Sequence, residues 1–236
     1  MANNGTAPVT LTSLLLEAGP FGAVSWNSDG GGTVLPPGQP KSLVTELPEP
    51  LCLPDGSNRP ASELTARLEL AGEGPDTAAA PVSDDFGVLD RNLHEYCLEQ
   101  PVRAIAAVEL LPELHSNGAG SATIFLAITP AAEPSDLGAT KVLRIERILG
   151  TTLLAADPAA PWPEGLQVRA GDPPRTLQLQ VRPARCDPHA VAEDKVGTLL
   201  PLMVDVGGVK GTIKAAARPE LKGAIHDFVS AACLPG

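Results

Sequence analysis

Apolar and polar residues alternate along many short stretches of this chain. From Glu63 to Leu70 the pattern is cleanest. Leu64, Ala66, Leu68 and Leu70 share one face, while Glu63, Thr65, Arg67 and Glu69 share the other. That two-residue period is the mark of a half-buried β-strand. Ser42 to Leu47 alternates in the same way, and Val102 to Leu111, Ser121 to Thr129, Lys141 to Leu149, Thr176 to Arg182 and Thr198 to Val206 read as further strands. The region from Val9 alternates more weakly and ends in Leu14-Leu15-Leu16, a buried strand end; Ala23 to Trp26 is a short strand. Turn residues punctuate these runs at Gly19-Pro20 and at Asn27-Ser28-Asp29-Gly30-Gly31-Gly32. Gly72 to Ala80 and Glu113 to Gly118 read as loops, and Asp157 to Glu164, with three prolines, as a rigid one.

Two segments carry a helical period instead. Ser83-Asp84-Asp85 offers an N-cap, and Phe86, Leu89, Leu93 and Tyr96/Cys97 follow at helical spacing. Pro219 suits a first helical turn, and Leu221, Ile225, Phe228, Val229 and Ala232 trace one face that ends at Cys233.

The strands and helices recur in order. Pro40-Lys41-Ser42-Leu43 leads to Cys52, and Pro174-Arg175-Thr176-Leu177 leads to Cys186, with a constant offset of 134 residues. Each copy reaches a second cysteine at the end of its helix, 45 residues after Cys52 and 47 after Cys186. Leu68-Glu69-Leu70-Ala71-Gly72 matches Val204-Asp205-Val206-Gly207-Gly208 in pattern. A repeat this long is a duplicated domain rather than a solenoid unit. The fold expected is mainly β: two tandem immunoglobulin-like β-sandwiches, residues 1–100 and 101–236, each with one short helix and one disulfide within the domain. Four cysteines allow three connectivities, of which the repeat favours Cys52–Cys97 with Cys186–Cys233.

Composition sharpens this picture. Apolar residues make up 43% of the 236 positions but aromatics only 3%, so the cores are built from Leu, Val, Ile and Ala. With 25 Pro and 23 Gly, long helices are not expected. The net charge of −11 is uneven. Residues 1–100 hold four Lys/Arg against fourteen Asp/Glu, and residues 101–236 hold thirteen against fourteen. An acidic first half disfavours nucleic acid and anionic membrane surfaces as partners. It serves either general solubility or a basic protein partner. No apolar run reaches the length of a transmembrane helix. Paired cysteines suit an oxidising compartment. The expected location is therefore secreted or cell-envelope, with the signal or anchor outside this chain and Met1 to Thr6 a flexible leader.

Candidate chemistry is sparse. The densest polar cluster runs from Arg185 to Lys195, where Asp187, His189 and Glu193 are metal-ligand or acid/base candidates. The competing structural role has Asp187 capping a helical turn that starts near Pro188. The first copy, at Cys52-Leu53-Pro54-Asp55-Gly56, has no histidine at this place. His94 and His226 fall on the polar helix faces, and His115 in a loop. There is no Gly-x-Ser-x-Gly elbow, phosphate loop or dinucleotide fingerprint, and no cofactor is expected. Trp26 and Trp162 are either recognition groups on loops and strand ends or plugs of the two cores.

The stretch from Arg185-Cys186-Asp187-Pro188-His189 through Val196-Gly197 resembles a segment of uncharacterised exported proteins of actinobacteria. The resemblance implies export or attachment to the cell envelope and carries over no catalytic residue. The function expected is a non-enzymatic extracytoplasmic binding or scaffolding protein with a protein or envelope partner. The alternative is a small-ligand or metal-ion binder in envelope transport, acting through His189 and its neighbouring carboxylates. Peptide mapping of the unreduced protein is expected to yield the Cys52 peptide linked to that of Cys97, and the Cys186 peptide linked to that of Cys233. Peptides joined across the repeats would remove the expected pairing.

Overall fold

Antiparallel strands account for most of the regular structure, because short alternating runs can pair with sequence neighbours through tight turns. The structure, a computed structural model, describes residues 1–53, 64–71, 77–118, 120–133 and 142–233. The chain divides into two compact units after Cys97; among the described residues, 1–53 and 64–97 fall in the first and 98–233 in the second.

The first unit holds one antiparallel sheet. Its strands are β1 (Val9–Glu17), β2 (Ala23–Asn27), β3 (Thr33–Leu35), β4 (Thr65–Ala71) and β5 (Thr77–Pro81). The order is β2-β1-β4-β5, with β3 on the same edge of β1 as β2. A 3₁₀ turn at Gly19–Phe21 joins β1 to β2. Helix α1 (Val88–Arg103) follows, and the carboxylate of Asp84 accepts from the backbone N–H groups of Val88 and Leu89, which the helix itself leaves unpaired. Ala18, Phe21, Val24, Leu93 and Cys97 form this unit's buried cluster.

The second unit holds two four-stranded antiparallel sheets. Its elements are β6 (Ala106–Gly118), β7 (Ser121–Pro130), β8 (Leu143–Ile148), β9 (Leu154–Ala156), β10 (Leu166–Val168), β11 (Arg175–Pro183), α2 (Pro188–Ala192), β12 (Leu199–Val206), β13 (Val209–Ala216) and α3 (Pro219–Ala232). One sheet runs β10-β8-β12-β13 and the other β6-β7-β11-β9. Inward residues of both, among them Leu143, Ile145, Leu202 and Val204 from the first and Ile124, Leu126, Ile128 and Leu179 from the second, share one buried cluster. Leu221, Ile225, Phe228 and Val229 of α3 join it, and α3 packs on β6 and β11. Each fully buried Leu, Ile or Val stabilises the unit by about 1.5–3 kcal/mol, which is how a core so poor in aromatics holds.

The two units share more than a spacing of cysteines. On β1 and β4, Thr10 faces Ala71 and Leu11 faces Leu70; one residue is skipped; then Ser13 faces Glu69 and Leu14 faces Leu68. On β8 and β12, Arg144 faces Asp205 and Ile145 faces Val204; one residue is skipped; then Arg147 faces Met203 and Ile148 faces Leu202. Every number in the second ladder is that of the first plus 134. The unpaired bulge residues are Thr12 and Glu146. A bulge shifts the side-chain alternation by one position, which explains why the pattern from Val9 to Leu16 is weak when read as a plain strand. The Thr12 hydroxyl donates to the Glu69 carbonyl oxygen at 3.0 Å. The Glu146 carboxylate accepts from Lys210 Nζ at 2.6 Å, and this hydrogen bond raises the Lys210 pKa above its ordinary value of 10.5.

Several expectations need correction. Among the described residues the first unit carries one sheet, not the two of a sandwich. Ser42 to Leu47 lies in no strand; its counterpart β11 pairs with β7, and among the described residues the first unit has no strand in the place of β7. Thr77–Pro81 is a strand rather than loop, held by pairing with β4 despite its alanines. Glu113 to Gly118 belongs to β6, where Leu114, His115 and Ser116 face Ile124, Thr123 and Ala122 across a register irregularity. Val102 is helical, because α1 continues through Pro101 to Arg103. Glu63, Pro54-Asp55-Gly56, Lys141 and positions 72–76 lie outside the described residues.

Two disulfides, Cys52–Cys97 and Cys186–Cys233, tie α1 and α3 to the segment ahead of each unit's central hairpin, with Cα–Cα distances of 5.3 and 5.2 Å; Cys233 caps the end of α3 as expected, whereas Cys97 lies inside α1, which runs on to Arg103. Among the described residues no helix is long and apolar enough to cross a membrane. Replacing both Cys186 and Cys233 by Ser frees a loop of 47 residues. Urea denaturation of the second unit is expected to show a stability loss of roughly 4 kcal/mol, the chain-entropy value for a loop of that length. A variant with an unchanged midpoint would show that the link carries no such role.

Candidate binding groove

The sheet of the first unit buries only part of its apolar face. Leu14 and Leu16 on β1, Trp26 on β2, Ala66 on β4 and Ala80 on β5 line a groove of about 560 Å³, closed along its rim by Met1, Ala2, Asn4, Leu43, Thr45 and Val82. Trp26 is half-buried, with its ring against this space. Leu14, Leu68 and Leu70 are half-buried, whereas their second-unit counterparts Ile148, Leu202 and Val204 are buried. The difference is coverage, since the strand register is the same.

The segment beside the groove is exposed in an unusual way. Val44 and Leu51 are each 84% exposed and Leu47 38%. Scattered surface leucines are ordinary; Val44 stands out because its neighbours Leu43 and Thr45 line the apolar groove. No backbone hydrogen bond to the described residues is made by 42–49; the Thr45 hydroxyl, donating to the Ser25 carbonyl oxygen at 3.2 Å, is the side-chain tie that holds the segment over β2.

Trp162 sits differently. It is 9% exposed, part of the second core, and its indole N–H donates to the Gln180 carbonyl oxygen at 2.8 Å. The buried ring has its one polar atom satisfied, so it fills the core and leaves no face for a ligand.

Asp187, His189 and Glu193 do not converge on a site. The Asp187 carboxylate accepts from the His189 backbone N–H at 2.9 Å, capping α2, and the Glu193 N–H donates to the His189 carbonyl oxygen. All three residues are exposed. Among the described residues no group of three or more His, Cys, Asp or Glu side chains is placed to hold a metal ion. His115 lies 3.9 Å from the Glu113 carboxylate and edge-on to Phe125, with ring centroids 5.0 Å apart. A second cavity, of about 350 Å³, lies along β6 and β13. Its charged rim includes an ion pair between Arg218 and Glu109 at 3.6 Å and another between Arg103 and Glu99. Among the described residues no buried side-chain nitrogen or oxygen lacks a hydrogen-bond partner, so no orphaned group aims into either space.

The polar run after Cys186 has a structural task that its residue types do not announce. Asp194 accepts from the Gly197 N–H at 2.6 Å and from the Thr152 hydroxyl, fastening the run to the turn that follows β8. A Cβ at Gly197 would stand 2.4 Å from Leu153 Cγ, 2.6 Å from the Asp194 carboxylate and 2.8 Å from the Thr152 hydroxyl. The missed signal was Asp-x-x-Gly, a tight turn closed by the carboxylate on the glycine N–H. Gly197→Ala is expected to destabilise the second unit by about 1–3 kcal/mol, the cost of overpacking a filled site. Chemical denaturation checks it, and a loss below about 0.5 kcal/mol would show that the site can relax.

No family model matches the chain, and no curated protein matches it. Among solved structures it is similar to the exo-chitosanase CsxA of Amycolatopsis orientalis in complex with PNP-beta-D-glucosamine, at 10% identity and a TM-score of 0.23, over 91% of this chain and 24% of that one. It is likewise similar to the exo-beta-D-glucosaminidase CsxA studied with a glucosamine-configured castanospermine, at 10% identity and a TM-score of 0.22, over 90% of this chain and 24% of that one. The chain thus spans about a quarter of the length of those enzymes, and at these scores neither fold nor activity carries across.

Proposed function

We propose that this chain is a non-enzymatic binding or scaffolding protein of a bacterial cell envelope, working outside the cytoplasm, and that its first unit takes up an extended polypeptide segment. One observation carries the reading: the apolar groove at Trp26 is lined by Leu43 and Thr45 of a stretch, 42–49, whose backbone makes no hydrogen bond to the described residues and whose Val44 and Leu47 face solvent. A non-strand stretch with no backbone partner among the described residues, next to an apolar groove, suits a ligand that brings its own backbone donors and acceptors, with side chains at alternate positions. A small polar metabolite meets neither need.

The compartment rests on two supports. Both pairs of cysteines are bonded within their units, and such bonds persist where thiols are not kept reduced. The motif from Arg185 to Gly197 resembles one in exported proteins. In this reading the second unit is an immunoglobulin-like sandwich, a rigid mount with a finished core. Its exposed Asp187, His189 and Glu193 belong to the mount.

The compartment is tested by the state of the thiols in the producing cell. Alkylation with a maleimide–polyethylene glycol without prior reduction is expected to leave all four cysteines unlabelled, and the protein is expected in the envelope or secreted fraction. Recovery of a cytoplasmic protein with four labelled cysteines would overturn the proposal.

A further inference from the structure

We infer that Cys186–Cys233 is a site of thiol–disulfide exchange, open to the dithiol of a thiol oxidoreductase, whereas Cys52–Cys97 is a closed staple. The two bridges span 45 and 47 residues with Cα–Cα distances of 5.3 and 5.2 Å, so chain geometry does not separate them. Their surroundings do.

A thiolate must touch a disulfide sulfur to exchange with it, so access governs the rate along with thiol chemistry. Cys97 is 0% exposed and belongs to the buried cluster of Ala18, Phe21, Val24 and Leu93; Cys52 is half-buried and packs on the same cluster. Cys186 is exposed, and so are Arg185 and Asp187 on either side of it. Its partner Cys233 is half-buried, packs on the second core, and has the Arg185 carbonyl oxygen 3.6 Å from its Sγ. Attack therefore falls on Cys186 Sγ, and Cys233 is the leaving sulfur.

The exchange runs in two steps. A thiolate of the partner bonds to Cys186 Sγ as the Cys186–Cys233 bond breaks, and the released Cys233 thiolate takes up a proton. The partner's second thiol then gives up its proton and attacks the mixed disulfide, and the Cys186 thiolate leaves and is protonated. The partner ends as a disulfide, oxidised by two electrons, and the two cysteines of this chain are reduced by the same two.

The fold bounds what this reduction releases. Ahead of Cys186, the Ala184 N–H donates to the Leu153 carbonyl oxygen at 2.8 Å. Beyond it, Asp194 is fastened to Gly197 and Thr152. Helix α3 keeps Leu221, Ile225, Phe228 and Val229 in the core. Opening the bridge thus loosens 185–193 between two fixed ends, and with it α2, which rests on α3. Asp187, His189 and Glu193 ride on that segment. The polar run is the one part of the second unit whose hold is set by a reducible bond.

The test exposes the folded, oxidised chain of residues 1–236 to dithiothreitol, quenches samples with N-ethylmaleimide and maps the labelled peptides. Cys186 and Cys233 are expected to be labelled together, roughly tenfold or more faster than Cys52 and Cys97. Urea below the unfolding transition is expected to leave the Cys186–Cys233 rate unchanged and to raise that of Cys52–Cys97, whose reduction needs the unit to open. With the second bridge alone reduced, hydrogen exchange of the 189–193 amides is expected to speed up while those of Leu202 and Val204 stay protected. Equal rates for the two bridges, or the reverse order, would overturn the inference, as would a Cys186–Cys233 rate that climbs with urea. Amides at 189–193 that exchange at the same rate before and after reduction would overturn the release of the segment.

Discussion

An antiparallel sheet with one face of Leu, Ile and Val has to cover that face, and most features of this protein follow from how each unit meets the demand. In the second unit, a second sheet and α3 close over Leu143, Ile145, Leu202 and Val204. In the first, an identical register puts Leu11, Leu14, Leu68 and Leu70 on the sheet with no second sheet among the described residues. Water contact at about 25 cal/mol per Å² of apolar surface makes such a face unfavourable to leave open. The groove and the exposed Val44 accompany a sheet that has no second layer among the described residues.

The parts that do not depend on that layer are complete in both units. Each central ladder carries its bulge at the same place, at Thr12 and at Glu146, so each strand presents apolar side chains in two short phases rather than one long one. A disulfide ties α1, at Cys97 within the helix, and α3, at Cys233 just past its end, to chain that precedes the hairpin of each unit. Such a tie restrains the unfolded chain as much as it holds the folded one. It gives a unit with few aromatics, and in the first case half a core, a cooperative frame. The Arg185–Gly197 run adds a local fastening through Asp194, Thr152 and Gly197. Its polar residues look like chemistry in sequence and act as carpentry in three dimensions.

The proposed uptake of extended polypeptide rests on the same contrast. Along β6 and β13 the charged side chains Arg103 and Glu99, and Arg218 and Glu109, pair with one another. The groove of the first unit is lined mainly by apolar side chains, as the proposed strand addition requires.

Local sequence determined the strands with clear alternation, such as Thr65–Ala71 and Leu199–Val206, and the helix that Pro219 opens. It also determined the duplication, because a constant spacing of 134 survives any change of surroundings. These are properties of neighbouring residues or of distances along the chain. The tertiary structure decided the rest. Ser42 to Leu47 alternates as well as any strand, yet pairs with none of the described residues and is no strand, since a strand is a property of two segments. Thr77–Pro81, rich in alanine, is a strand because β4 lies beside it. For Trp26 and Trp162 the sequence left groove and core equally open; Trp26 on β2 lines a groove and Trp162, in a loop, fills the second core. Burial and pairing are set by atoms far away in the chain, and a pattern read along one dimension holds no record of which of them arrive.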